Sequence, residues 1–141
     1  MATQNIKVVT GNRIVVEFDG KVVGLIQSIQ PSDSYAMEPA SGLGDIHVQE
    51  HVPTRAQHRV EVTNMTLFSG SMRAAGIVPE NGDAALAGTV LDICIYSKDT
   101  GKVMRKYASC SYDSGSVDVT AHRILMARGS FLALDVSGTG I

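Results

Sequence analysis

The 141-residue sequence has no tryptophan, three phenylalanines, four tyrosines and two cysteines. A surface patch of aromatic side chains, of the kind that binds sugars or peptides, would therefore contain few rings. We expect a core built from Val, Ile and Leu. Two cysteines in a chain without an export signal are expected to be reduced thiols. A chain of this length can bury a substantial core, so we treat residues 1–141 as one domain.

Long apolar runs and an excess of basic residues are also missing. The longest apolar stretches, "VVGLI" and "AAGIV", are far shorter than the ~20 residues that cross a bilayer. The start "MATQNIKVVTGNR" has no apolar signal core, so export by that route is not expected. Twelve basic against fourteen acidic residues give a net charge of −2, which argues against binding nucleic acid through clustered Lys and Arg.

Two stretches predict β-hairpins. In "RIVVEFDGKVVGLI", residues 13–26, the central Asp-Gly favours a type I′ turn. This turn would pair Phe18 with Lys21 and Val16 with Val23. The second stretch, "TVLDICIYSKDTGKVMRKYASCSY", contains an alternating apolar face. The members of that face are Leu91, Ile93 and Ile95.

The turn "KDTG" would place Ser97 opposite Lys102 and Cys94 opposite Arg105. Cys110 then lies five positions beyond the partner of Cys94, roughly 17 Å away at about 3.3 Å per residue. A disulfide needs α-carbons within ~7 Å. This register therefore argues against an intrachain bridge.

The remaining segments complete a mainly β pattern. Residues 45–52 and 58–67 alternate like strands, and the proline- and serine-rich stretch 31–44 reads as a long ordered loop of a kind that is usually functional. A short helix is expected around Met72–Ala75, and residues 121–128 fit a helix or a strand equally well. The predicted fold is an antiparallel β-barrel or sandwich of about seven to nine strands with one short flanking α-helix.

The stretch "DIHVQEHVPTRAQHRVEV", residues 45–62, holds three of the four histidines. A metal site needs three or four converging ligands. His47 and His51 are four residues apart, and His122 is the only distant candidate. A polar strand face is the favoured interpretation, and we predict no metal or cofactor. The sequence also has no G-x-S-x-G motif and no phosphate-binding glycine loop, so it does not predict an enzyme.

The order of these features resembles a family. A D-G hairpin with "GKVVGLIQSIQP" is followed by a long loop, "GDIHVQEHVPTRAQ" and "MTLFSGSMRAAGIVPE". The hairpin "LDICIYSKDTGKVMRKY" and the closing "YDSGSVDVTAHRILMARGSFLALDVSGTG" complete the chain. Taken together, the sequence resembles a tail tube protein of a contractile-tailed bacteriophage, a family whose fold is shared with the tubes of type VI secretion systems.

The resemblance implies a structural virion protein. Six copies would form a ring, and stacked rings would form a hollow tube that conducts the genome. A tail sheath protein, a tape measure protein and a baseplate are the implied partners, in a tail made in the host cytoplasm. A conduit for DNA should not have a basic wall, and six copies at −2 each would carry about −12 per ring.

Two sets of residues are assigned hypothetical roles on this basis. Glu50, Arg59, Glu61 and Thr63 are expected to face the lumen, while Val60 and Val62 pack inward. The loop 31–44 is expected to be an inter-subunit arm that carries Tyr35, Met37 and Glu38.

Three alternatives stay open. The chain could be a tube component of a secretion or bacteriocin-like contractile machine. From other classes, it could be a small metal-dependent β-barrel enzyme or a monomeric sugar- or peptide-binding sandwich.

Overall fold

A computed structural model describes residues 11, 14–20, 22, 24–67, 76–98 and 100–141. Within these residues the chain forms nine strands and one short helix. The elements are β1 Ile14–Phe18, β2 Gly24–Ser34, β3 Met37–Ala40, β4 Glu50–Pro53, β5 Gln57–Leu67, α1 Gly82–Leu86, β6 Leu91–Ser97, β7 Val103–Asp118, β8 Met126–Ala133 and β9 Asp135–Ser137. The predicted mainly β, antiparallel fold with one short helix is confirmed. Within the same residues, no helix is both long and apolar enough to span a membrane.

Seven strands form one antiparallel sheet and two form a separate hairpin. The large sheet has the order β1-β6-β7-β8-β5-β2, and β9 pairs with the first half of β7. The sheet is curled into a half-barrel. The curl is evident from the Phe18 ring on β1, which lies 5.9 Å from the Phe131 ring on β8, three strands away. The separate hairpin consists of β3 and β4.

The core fills the concave side of the curled sheet. Its largest fully buried side chains are Tyr107, Phe18, Phe131, Met65, Ile93, Ile95, Val60, Val62 and Cys110. The apolar alternation predicted for β6 is confirmed, since Leu91, Ile93 and Ile95 are all buried. Alternation of period two places every second side chain on one face of a strand, and the curl turns that face inward.

The Asp19-Gly20 turn has the predicted backbone conformation. Asp19 and Gly20 have φ values of 53° and 82°, as a type I′ turn requires. Among the described residues, however, the two flanking strands do not form the predicted hairpin, because β1 pairs with β6 and β2 pairs with β5. Lys21 and Val23, the predicted partners of Phe18 and Val16, lie outside the described residues.

The β6–β7 hairpin differs from its predicted register by one residue. The turn is as expected, since the Ser97 N–H donates to the Lys102 carbonyl at 2.9 Å. Cys94, however, pairs with Lys106 and not with Arg105. An irregularity between Ile95 and Tyr96 places one extra residue on β7, and such bulges shift every later pair.

The short helix lies at a position that the sequence did not predict. The expected helix at Met72–Ala75 is outside the described residues, although its proposed stop, Gly76, has the left-handed φ of 81°. The described helix is α1. The Asn81 side chain caps it by accepting a hydrogen bond from the Ala84 N–H at 3.0 Å, a typical N-cap arrangement.

Two predicted segment assignments are wrong in part, and the structure decides between the two alternatives left open for a third segment. The supposed loop 31–44 contains the end of β2 and the whole of β3. Of the predicted strand 45–52, only the part from Glu50 onward is extended and paired. At 121–128 a turn at 121–122 leads into β8 at Met126, and no helix forms.

Candidate functional site

The segment between β2 and β5 projects from the sheet, and we call residues 35–56 the arm. Every residue of the arm is solvent-exposed. Its two strands, β3 and β4, pair with each other and with no other described strand. The arm therefore gains little from packing on its own sheet.

Hydrogen bonds between the two ends of the arm close its base. The Tyr35 carbonyl accepts from the Thr54 N–H at 3.2 Å and from the Arg55 N–H at 3.3 Å. The Thr54 hydroxyl donates to the Ala36 carbonyl at 2.5 Å. The two chain segments thus leave and re-enter the sheet side by side.

The surface of the arm is apolar and acidic. Its large exposed apolar residues are Tyr35, Met37, Leu43, Ile46, Val48 and Val52. Leu43 and Ile46 are as open to solvent as in an extended chain, at 108% and 95% exposure. The arm includes three acidic residues and one basic residue, Arg55. Concentrated apolar exposure of this kind marks a contact surface.

The structure places the predicted arm residues as follows. Met37 and Glu38 lie on β3, fully within the arm. Tyr35 stands at the base, where its ring meets the His58 ring edge-on with centroids 6.1 Å apart. Glu50, predicted to face the lumen, lies on β4 in the arm, apart from Arg59, Glu61 and Thr63.

Beneath the arm lies a polar group that sequence reasoning missed, and we call Asp33, His58 and Arg105 the basal cluster. Asp33 Oδ1 lies 2.6 Å from His58 Nδ1, and its Oδ2 accepts from Arg105 Nη2 at 3.0 Å. Arg105 also donates to the Gly138 carbonyl at 2.8 Å. The cluster joins β2, β5, β7 and the C-terminal segment, and it fixes the strand end from which the arm departs.

We expect Asp33→Ala to lower the free energy of unfolding by about 2–3 kcal/mol. The substitution leaves the Arg105 guanidinium and the buried His58 ring, 4% exposed, without their shared partner. Urea unfolding at a protein concentration that keeps the chain monomeric measures the loss.

The matched control for that measurement is Asp118→Ala. It removes the exposed pair with Arg128 at 2.8 Å, and exposed pairs contribute only about 0–1 kcal/mol. Equal losses in the two variants would show that the basal cluster does not stabilise the fold more than a surface ion pair does.

A second candidate surface is the outer face of β5 and its neighbours. Val60 and Val62 are fully buried, while Arg59, Glu61 and Thr63 point the other way, so the predicted alternation is confirmed. The charges on this face are paired. Arg59 contacts Asp113 Oδ2 at 3.2 Å and Glu61 Oε1 at 3.6 Å.

Within the described residues, neither the histidines nor the cysteines form a reactive site. No group of three or more His, Cys, Asp or Glu in this part of the chain could hold a metal ion. His47 and His51 are exposed on the arm. Burial raises the pKa of Cys110 to about 11, and burial also raises the pKa of Cys94. Both are free thiols that stay protonated at neutral pH, whereas a nucleophilic cysteine needs the thiolate.

A third surface lies at the β7–β8 connection, and we call residues 117–125 the turn patch. It exposes Val117, Val119, Ile124 and Leu125. Arg123 lies among them, and its guanidinium forms no ion pair within the described part of the chain. The patch therefore combines apolar surface with one unpaired cation and with Asp118, whose carboxylate pairs with Arg128.

Comparisons with known proteins agree with this architecture. No curated protein sequence matches the chain. Among solved structures, it is similar to the tail of an empty gene transfer agent particle with C6 symmetry, at a TM-score of 0.68 and 11% identity, covering 94% of this chain and 99% of that one. It is also similar to the SPP1 tail tube, at a TM-score of 0.66 and 12% identity, covering 95% and 80%.

A further similar structure is a chain of the anti-feeding prophage baseplate, with a TM-score of 0.60 and 12% identity over 100% of both chains. At such identities these structures show the shared fold. The family model of the Phi812 tail tube protein matches residues 3–137, almost the whole chain. By that match, this chain belongs to the Phi812 tail tube family, the structural proteins of phage-like tails.

Proposed function

We propose that this protein assembles into hexameric rings that stack into a hollow tail tube and conduct the phage genome into the host. The observation that carries the proposal is the arm, whose apolar side chains are exposed and whose strands, within the part of the chain that the structure describes, pair only with each other. A monomer that exposes so much apolar surface is suited to association. The C6 symmetry of the similar gene transfer agent tail supports a ring of six.

We place the outer face of β5, with Arg59, Glu61 and Thr63, toward the lumen. Arg59 and the neighbouring Arg128 are already paired with carboxylates of their own chain, so they offer phosphate no free partner. Duplex DNA carries one charge per ~1.7 Å of its axis and would be retained by a basic wall. The net charge of −2 per subunit favours passage without binding.

The partners follow from the same proposal. A tape measure protein would occupy the lumen before the genome, a baseplate would bind one end of the tube, and a sheath would surround it. The protein would be made in the host cytoplasm and would function in the virion. Nothing in this role requires catalysis, which agrees with the structural character of the family.

Electron microscopy of the purified protein tests the proposal. Hollow rods with six subunits per ring are the expected result. A reconstruction should place Glu61 at the inner radius, and Glu61 at the outer radius would overturn the lumen assignment. A chain that stays monomeric at every concentration would contradict the tube itself.

The similarity to the anti-feeding prophage baseplate favours one second candidate, a tube in a contractile machine that carries no genome. The two candidates differ in the particle that surrounds the tube. Particles purified with this chain should carry DNA-filled heads if the tube conducts a genome, and should lack heads otherwise.

A further inference from the structure

The segment that follows β9 lies directly against the start of β7, and we call residues 138–141 the strap. Two glycines permit this close approach. A Cβ at Gly138 would lie 2.6 Å from the Met104 carbonyl oxygen, and a Cβ at Gly140 would lie 2.7 Å from the Met104 Cα. Gly138 also has a φ of 106°, which glycine adopts far more readily than other residues. The sequence "SGTG" therefore allows the backbone of the strap to contact the backbone of β7.

Few contacts hold the strap once β9 has ended. Within the described residues, the Gly140 N–H donates to the Met104 carbonyl at 3.0 Å, and the Gly138 carbonyl accepts from Arg105 Nη1 at 2.8 Å. Residues 139–141 are exposed. A segment with so few buried contacts can open locally while the rest of the fold stays intact. The strap therefore has two states, attached to β7 and detached from it.

Arg105 connects the strap to the basal cluster. Its Nη1 donates to the Gly138 carbonyl, and its Nη2 donates to Asp33 Oδ2 at 3.0 Å. The guanidinium also lies over the Tyr107 ring, 5.9 Å from the ring centroid. The N–H groups of a guanidinium are fixed in one rigid plane, so a displacement at one of these contacts is transmitted to the other.

The basal cluster is connected in turn to the arm. Asp33 Oδ1 lies 2.6 Å from His58 Nδ1, and the His58 ring meets the ring of Tyr35, the first residue of the arm, edge-on. The Tyr35 carbonyl accepts the hydrogen bonds from the Thr54 and Arg55 N–H groups that close the base of the arm. A continuous series of contacts therefore runs from the strap to the base of the arm.

We infer that the strap is a clasp that controls the arm. The attached strap holds Arg105 in place and, through Asp33 and His58, keeps the base of the arm closed. Detachment of the strap allows the base to open more often. Coupling between two sites is reciprocal, so an arm that is held in place also favours the attached strap. The inference concerns the single chain, while its consequence for assembly, an arm preorganised for association, rests on the proposed function.

Trypsin cleavage of the unassembled chain after Arg55 tests the clasp, because proteolysis of a folded protein follows the population of the locally open state. Gly138→Ala and Gly140→Ala each place a Cβ too close to Met104 and should detach the strap. Each variant should raise the initial rate of cleavage after Arg55 by about tenfold, the effect of losing one charge-assisted hydrogen bond. Cleavage after Arg128, which requires β8 to leave the sheet, should change by less than about twofold.

Two variants serve as matched controls. Gly88→Ala introduces the same kind of backbone strain, at a φ of 72°, where the added Cβ meets nothing within 4 Å. Thr139→Ala changes an exposed side chain within the strap itself. Both should be cleaved after Arg55 at the parental rate. Parental cleavage of Gly138→Ala would overturn the inference, and so would an equal increase after Arg55 and Arg128, which would indicate a general loss of stability.

A double-mutant cycle tests the route through Arg105. Arg105→Lys retains the positive charge beside Asp33 but lacks the planar fork that bonds two groups at once. In this background, Gly138→Ala should change cleavage after Arg55 by less than about twofold, because the connection has already been removed. A tenfold increase in both backgrounds would show that the strap does not act through Arg105.

These measurements separate the clasp from the proposed function, because none of them requires a tube. A chain that shows the coupling but forms no rods would contradict the tube alone. A chain that forms rods but shows no coupling would contradict the clasp alone.

Discussion

A variant in which two glycines replace residues 37–53 should fold like the parent protein and should form no tubes. The deleted segment is exposed throughout, and its strands contribute no pairing to the large sheet. Removing it should therefore change the unfolding free energy by less than about 0.5 kcal/mol, as for other surface changes without partners. Assembly should disappear, because the apolar contact surface has been removed. Urea unfolding measures the first outcome, and sedimentation velocity together with negative-stain microscopy measures the second.

The base of the arm determines how the two ends left by the deletion can be joined. Ala36 and Thr54 lie side by side, because the Thr54 hydroxyl donates to the Ala36 carbonyl and the Thr54 N–H donates to the Tyr35 carbonyl. Two glycines can connect them as a tight turn, since glycine adopts positive φ without strain.

A smaller deletion serves as the control for this experiment. Replacing residues 41–49 by two glycines keeps β3 and β4, and it tests whether the tip alone makes the contact. Tubes of parental length from the complete deletion would show that the arm is not an assembly surface, and the half-barrel would then have to join its neighbours by other faces.

Local alternation made part of this fold predictable. Val60 and Val62 on β5, like Ile93 and Ile95 on β6, could be assigned to the inner face because side chains on a strand alternate with a period of two residues. The Asp19-Gly20 turn could be predicted for a similar reason, since few dipeptides tolerate positive φ at both positions. These features depend on residues that are neighbours in the sequence.

Features that depend on distant partners were not predictable. Pro31 suggested a loop, yet it lies within β2 and opposite Val60. Strand β2 ends the strand order of the large sheet, and an edge strand tolerates a residue without an N–H donor. The extra residue on β7 that moves Cys94 opposite Lys106 likewise depends on how two strands fit together.

The candidate site divides in the same way. The arm could be anticipated from a long stretch rich in proline, serine and glycine. The basal cluster could not, because Asp33, His58 and Arg105 are brought together only by the curl of the sheet. One signal was present in the sequence, since His58 occupies the same strand face as Val60 and Val62, where a polar residue needs a partner.

Phe131→Ala should destabilise the core severely. Phe131 is fully buried, and its ring lies 5.9 Å from that of Phe18 and 5.8 Å from that of Tyr112. Removing it should cost about 3–5 kcal/mol of unfolding free energy. For a domain of this size, that loss corresponds to a decrease in melting temperature of about 10–20 °C.

The measurement belongs in the arm-deleted protein, because polymerisation stabilises the folded state by mass action and would mask part of the loss. Phe131→Leu retains most of the volume and should cost about 1–2 kcal/mol, while Leu134→Ala at a position 80% exposed should change little. This ranking follows from Phe131 linking β1 to β8 across the concave side. If the Phe131→Ala variant melted at the same temperature as the Leu134→Ala variant, this ring could not be holding the two halves of the sheet together. The curl would then have to come from strand pairing alone.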